Sequence, residues 1–313
     1  PAVRIHQADM QLGLLSSKER WLHRYGGALA AATLLLIVAG ASVTSNEAGL
    51  SVPDWPLSYG KVMPEMKGGV FYEHGHRMVA TAVGMLTIGL VVFLHRAEKR
   101  VWMKRLGWAA LGAVIAQGVL GGLTVIYLLP KAISIFHACL AQLFFATTCA
   151  IAVFTSPGWK AGPEIVEDHK WPSLRSLAAV TSALLLLQSL LGAAFRHRAL
   201  GVLPHVLFAF VVAGVVTMLA LFTLTQFPKH AALRKAAHAL VGVTFVQVLL
   251  GLGALLARMR EVPNPAEIVS TTVVHVAMGA LTLGASVVFT LQIFYHVRRK
   301  PVPAEAPEAA LSR

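Results

Sequence analysis

Charged residues are scarce. Asp, Glu, Lys and Arg make up 13% of the 313 residues, about half the share usual in a soluble domain. Set beside 56% hydrophobic residues, that scarcity excludes an ordinary soluble enzyme. Acids are rarer still: 14 Asp and Glu stand against 27 Lys and Arg, a net charge of +13. Cysteine is nearly absent. Cys139 and Cys149 fall on one predicted helix, where a rise of 1.5 Å per residue separates them by about 15 Å, beyond the reach of a disulfide. A redox cysteine pair is therefore excluded. The first 20 residues are polar and do not read as a secretory signal.

What the chain has instead is apolar runs long enough to cross a bilayer, which takes roughly 20 residues each. There are eight: Trp21 to Val43, Tyr72 to Leu94, Trp102 to Leu128, Ala132 to Phe154, Leu174 to Phe195, Val202 to Phe227, Ala236 to Ala257 and Val269 to Tyr295. They predict an all-α membrane protein of eight transmembrane helices. The net positive charge does not form the single patch that nucleic acid requires, because it follows alternate loops. Those loops and both ends hold 19 of the 27 Lys and Arg, leaving Lys61, Lys67, Arg77, Lys131, Arg196, Arg198, Arg258 and Arg260 on the other side. The positive-inside rule makes the richer side cytoplasmic, with both termini inside and the loop at 46–71 outside.

The helices repeat. Predicted helices 3, 5 and 7 share Gln-x-x-Leu-Gly, at Gln117 to Gly121, Gln188 to Gly192 and Gln247 to Gly251, while helix 1 keeps only Gly40. A glycine at that place lets a backbone or a flat ligand come close, and the glutamines can bond across helices; plain helix packing explains them as well. The even helices each carry one histidine within their first two turns: His76, His137, His205 and His275. A small residue follows one turn later, at Ala80, Ala141, Ala209 and Gly279.

One intramembrane histidine is usually structural. Four at one depth, in register with a repeat, suit axial ligation of haem iron across a bundle. Zinc prefers mixed tetrahedral ligands, and no Cys or Met stands at a spacing that favours copper. The predicted architecture is two pseudo-symmetric four-helix bundles, pairing His76 with His137 and His205 with His275. The corresponding segments are 1–20, a first half 21–155, a linker 156–173, a second half 174–298 and a tail 299–313. The other histidines read as surface residues, with His74 the doubtful one.

The halves differ at the position three before each histidine: Glu73, Ser134, Val202 and Thr272. An acid therefore stands beside a histidine only in the first half, within Glu73-His74-Gly75-His76-Arg77. That half also has the longest outer loop, whose Pro, Gly and aromatics read as a folded lid. Chemistry belongs there. Burial should raise the Glu73 pKa and suit it to proton transfer. Arg77, Arg196, Arg198, Arg258 and Arg260 are candidate partners for haem propionates, and equally ordinary interfacial anchors.

Gly49-Leu50-Ser51-Val52-Pro53-Asp54-Trp55-Pro56-Leu57, followed by Glu73-x-x-His76-Arg77, resembles the heme A synthase family, and the likeness extends over residues 20–298. The resemblance implies a bacterial inner-membrane oxidoreductase acting on a CH group, which converts the C8 methyl of heme O to a formyl group and so supplies heme A to cytochrome oxidase. It implies that His76 and His137 belong to the substrate-haem half, that His205 and His275 hold a heme b cofactor, and that Glu73 acts in catalysis. The partners implied are heme O and heme A, heme O synthase, cytochrome oxidase assembly proteins and the lipid bilayer, with room for a homo-oligomer and no nucleic acid. Many bacterial members carry a cysteine pair in the first outer loop; Ser51 and Ser58 stand in that neighbourhood here, so a thiol route is not expected. Two other readings stay open: a diheme b-type cytochrome that only carries electrons, and a transporter whose histidines relay protons.

Overall fold

The computed structural model describes residues 16–299, so readings that fall on 1–15 and 300–313 lie outside the described residues. All eight apolar runs are helices: α1 (Ser17–Ser45), α2 (Gly69–Ala97), α3 (Val101–Ile126), α4 (Lys131–Phe154), α5 (Leu174–Arg196), α6 (Leu203–Gln226), α7 (Ala231–Met259) and α8 (Pro265–His296). Each is long and apolar enough to span a membrane, and the chain is a multi-pass membrane protein. Several helices overrun their apolar stretch. α1 starts at Ser17 because Ser16 and Glu19 form a reciprocal capping box, and α7 starts at Ala231 behind the His230 cap.

Helix contacts close two rings. α1 packs on α2, α2 on α3, α3 on α4 and α4 on α1; α5 to α8 close in the same order. Between the rings, α8 touches α1 and α4, and α4 touches α5. The close-packed apolar cores of both rings lie toward the basic end. In the first ring the core joins Leu22, Leu29, Leu90, Leu94, Met103 and Ile151. In the second it joins Leu177, Leu219, Leu233, Leu240, Phe289 and Ile293. A small cluster of Ile37, Phe145 and Ala280 bridges them near mid-height. Large side chains such as Phe210 and Phe136 point outward, as lipid-facing residues should.

The basic end carries features that hydropathy does not announce. Strand β1 (Val166–Asp168), in the segment joining the rings, pairs in parallel with β2 (Val297–Arg299), which follows α8 directly. Trp159 stacks on Tyr295 with ring centres 4.0 Å apart, and Lys160 pairs with Glu19. His230 and His296 are buried there, ring centres 4.5 Å apart, both facing the Glu164 carbonyl. With His74, also buried, they correct the expectation that the remaining histidines are surface residues. Each is drawn inside by a specific main-chain or hydroxyl partner that its sequence position does not reveal.

Candidate functional site

Each repeat histidine is seated on the glycine of the helix before it. A Cβ added at Gly40 would lie 3.0 Å from His76 Cε1, at Gly121 3.4 Å from His137, at Gly192 3.0 Å from His205 and at Gly251 2.8 Å from His275. Four glycines and four histidines thus make one contact four times, always within a hairpin. The expectation that these glycines admit a backbone or a flat ligand is refined: their space is taken by the imidazole. The small residue one turn beyond does not leave open space everywhere, since a Cβ at Gly279 would approach Gln247 Nε2 to 3.3 Å.

The glutamines hold the histidine segments. Gln117 Nε2 donates to the His137 carbonyl at 2.9 Å, and Gln188 Nε2 donates to the His205 carbonyl at 2.9 Å. His205 Nδ1 also faces the Gln188 carbonyl at 3.3 Å; the tautomer protonated there donates to it and leaves Nε2 bare. The Nδ1 atoms of His76, His137 and His275 are buried without a partner of good geometry, as are the Oε1 atoms of Gln117, Gln188 and Gln247. Orphaned polar atoms cost free energy when buried and recur here at matching places in the repeat. His205 and His275 oppose each other with ring centres 6.2 Å apart and planes at 89°. His76 and His137 make no such ring contact among the described residues.

Over the first ring, the loop at 46–68 is fastened to the opening turns of α2. Glu73, 4% exposed, accepts from the Val52 N–H at 2.8 Å through Oε2 and pairs with Arg77 Nη2 at 2.7 Å through Oε1. Arg77 Nη1 donates to the carbonyls of Asp54 at 2.9 Å and Leu57 at 2.8 Å. His74 Nδ1 lies 2.8 Å from Ser58 Oγ, and both residues are buried. Ser51 Oγ presses so closely on Gly69 that no Cβ fits there. On the other side Trp55 lies on α3: a Cβ at Gly122 would meet its indole at 2.7 Å. The sequence reading of a folded lid held Val52, Trp55 and Ser58 within it and singled out Glu73 and Arg77, but did not pair Val52 with Glu73, Ser58 with His74 or Trp55 with Gly122. Those contacts cross 16 to 67 positions of chain, and no local period reports them.

Inside the loop, Asp54 accepts from Tyr59 N–H at 2.6 Å and Gly60 N–H at 2.8 Å, closing a turn in which both donors have positive φ. The Gly60 N–H, aided by that of Tyr59 and by nearby Arg77, holds the Asp54 carboxyl below its ordinary 3.8. A depressed carboxylate pKa stabilises the turn above the ordinary value, and that contribution is lost as pH falls through the lowered one. Protection at 51–60, taken as exchange relative to its intrinsic rate at each pH, should therefore be flat from about pH 5 to 8 and fall below about pH 4. Asp54→Asn should lower that protection at neutral pH and leave it near the acid value of the unaltered protein; equal protection in the variant at neutral pH would refute the clamp.

The remaining arginines differ in their surroundings. Arg196 Nη2 donates to the Ala41 carbonyl at 2.6 Å and Ser45 Oγ at 2.7 Å, tying α5 to α1, while its Nη1 is buried without a partner. Arg258 lies close enough to Arg196 for the charges to repel, and also contacts Thr272 and the Phe195 ring. Arg198 pairs with Glu47, and Arg260 with Glu267, on exposed ground.

Eight spans with four partly buried histidines at one level near one end, each set against a glycine, and tightly packed apolar cores toward the other define a polytopic membrane protein. The chain belongs to the COX15-CtaA family, cytochrome oxidase assembly protein, whose model matches residues 23–204 and so takes in Glu73, His76 and His137 and stops just short of His205. Its relatives include the heme A synthase of Symbiobacterium thermophilum, 29% identical over 172 residues, covering 53% of this chain and 56% of that protein. The heme A synthases of an Exiguobacterium species and of Shouchella clausii are 27% identical over 137 residues and 32% identical over 129 residues. These alignments cover 43% and 40% of this chain, and 46% and 43% of those proteins. The chain spans about half the length of the curated relatives it matches.

Proposed function

We propose that this chain is a heme A synthase, binding heme O in the first ring and a heme b cofactor in the second. The observation that carries the reading is the repeated seat: four imidazoles, each set against a glycine of the preceding helix, with His205 and His275 opposed. Two imidazoles bound end-on to one metal at about 2 Å have ring centres about 6 Å apart. The His205–His275 spacing of 6.2 Å meets that requirement. Buried glutamine Oε1 atoms without a partner beside the histidines, and close-packed cores confined to the far end, support a group bound at this level.

On this reading His205 and His275 hold the heme b iron, and Arg196 with Arg258 face its propionates, since two repelling guanidinium groups are relieved by anions. When bound, that cofactor supplies one-electron chemistry. His76 and His137 hold the substrate's iron. Glu73, fixed by Val52 and Arg77, assists proton movement or stabilises positive charge as the C8 methyl is oxidised in successive steps to a formyl group. Arg77 serves the loop first, because one terminal nitrogen is spent on its carbonyls and the other on Glu73. Residues 21–155 and 174–298 act as substrate and cofactor halves, with the basic end in the cytoplasm of a bacterium. The partners are the protein that delivers heme O and those that receive heme A.

The test is haem extraction after co-expression with a heme O source. Heme A should accumulate only when this chain is present. Protohaem alone, even with heme O supplied, would favour the electron carrier, which needs the same histidines but neither the acid nor the lid. A purified protein without a Soret band would favour the proton-relay transporter.

The seats give a finer prediction. Gly251→Ala places a methyl 2.8 Å from His275 Cε1 and should weaken heme b retention about tenfold. Gly253→Ala, two residues on with nothing within 4 Å, should leave it unchanged. Equal retention in the two variants, measured by haem transfer to a scavenging globin, would dismiss the seat as a determinant.

A further inference from the structure

The loop over the first ring is held unequally on its two sides. Toward α2 it is fixed by the Glu73, Arg77 and His74 contacts, several of them charge-assisted and buried. Toward α3 it is held by apolar contact: the Trp55 indole on Gly122, and Leu129 against Gly49. Trp55 makes no hydrogen bond among the described residues, and its other face is open. Breaking buried charged hydrogen bonds costs several times more than lifting one aromatic ring from a glycine. Any opening of the loop therefore begins at α3 and hinges on α2.

The residue beside this contact decides what opening exposes. Gly121, adjacent to Gly122, is the seat of His137. The indole thus closes the roof next to one of the two histidines of the first ring, while the hinge lies beside the other, His76. We propose that Trp55 on Gly122 is the releasable seam through which the flat substrate of the first ring enters and leaves, and that residue 122 has no side chain so that the seam can shut. The inference rests on the heme O reading above and adds a positioning residue, Trp55, and its seat.

The experiment uses the full chain in lipid nanodiscs, loaded with heme O, with release into a scavenging globin followed in the Soret band. Gly122→Ala would put a methyl 2.7 Å from indole atoms Cδ2 and Cε2 and wedge the seam open. Gly122→Ala and Trp55→Ala should each speed heme O release about fivefold, and Trp55→Phe should stay within about twofold of the unaltered protein. Gly112→Ala, on the same helix with nothing within 4 Å, should release at the unaltered rate. Protohaem in the second ring should stay constant, which separates an opened seam from general unfolding. If Gly122→Ala does not accumulate folded, the Trp55 pair decides. Unaltered release from both Gly122→Ala and Trp55→Ala overturns the seam. An unaltered protein that takes up protohaem but no heme O overturns the functional reading instead, and the seam with it.

Discussion

Replacing His275 with alanine should strip the second ring of its protohaem, from about one equivalent per chain to a small remainder. His275 stands on Gly251, beside Gln247, with its ring centre 6.2 Å from that of His205. On the proposed function, its removal leaves one imidazole where two would share an iron, and opens space rather than filling it. Loss of a mere supporting contact to a ligand typically costs 10- to 100-fold in metal affinity, so loss of the ligand should cost more than about 100-fold. Any iron that remains should turn high-spin. Added imidazole should restore a low-spin spectrum, which relief of a packing defect would not do. The first ring should keep its heme O, because its histidines lie on other helices. A His275→Ala protein with full protohaem and an unchanged low-spin Soret band would remove this residue from the ligand set.

The second large effect is expected at Glu73. Glu73→Ala should leave both rings loaded while heme A falls by about 100-fold or more and heme O, or its hydroxymethyl form, builds up. The structure supplies a complication and the means to resolve it. Glu73 also receives the Val52 N–H and balances Arg77, so alanine leaves a donor and a guanidinium group without their acceptor. Breaking a buried pair from one side costs about 3–5 kcal/mol, enough to loosen the loop. Glu73→Gln keeps an oxygen for Val52 while removing the charge and setting an NH2 group against Arg77 in place of Oε1, a smaller disturbance than alanine. Loss of product in both variants, with loop protection retained in the glutamine form, assigns the chemistry to the carboxylate. Recovery in the glutamine form assigns Glu73 to holding the loop. Normal heme A yield from Glu73→Ala would take the residue out of the mechanism.

The eight spans were legible because bilayer thickness imposes one length on every helix, and Leu, Val and Ala fill that length without interruption. The four histidines were legible because polar residues are rare in such runs and these four recur at one depth. The partner of each was not. Gly40 precedes His76 by a long loop, and Gly251 precedes His275 by another, so no fixed spacing links seat and ring; only equal depth on either side of a hairpin turn would have matched them. The loop's fastening was half visible. Glu73 and Arg77 stood out as ionisable groups at a helix mouth, but nothing in the sequence tells that Ser58 meets His74. Where cysteines stand in many bacterial relatives of the resembled family, Ser51 and Ser58 help close the loop by hydrogen bonding and by contact with Gly69. The β1–β2 pair was invisible because three residues on each side carry no period.

The placement of the close-packed cores has a bearing on biogenesis. Leu22, Leu94, Leu219 and Phe289 knit each ring at the end far from His76, His137, His205 and His275. If the proposed function holds, the scaffold can insert and consolidate while still empty and accept its iron macrocycles afterwards from the opposite face. Maturation would then run from one leaflet toward the other, with loading as its final act.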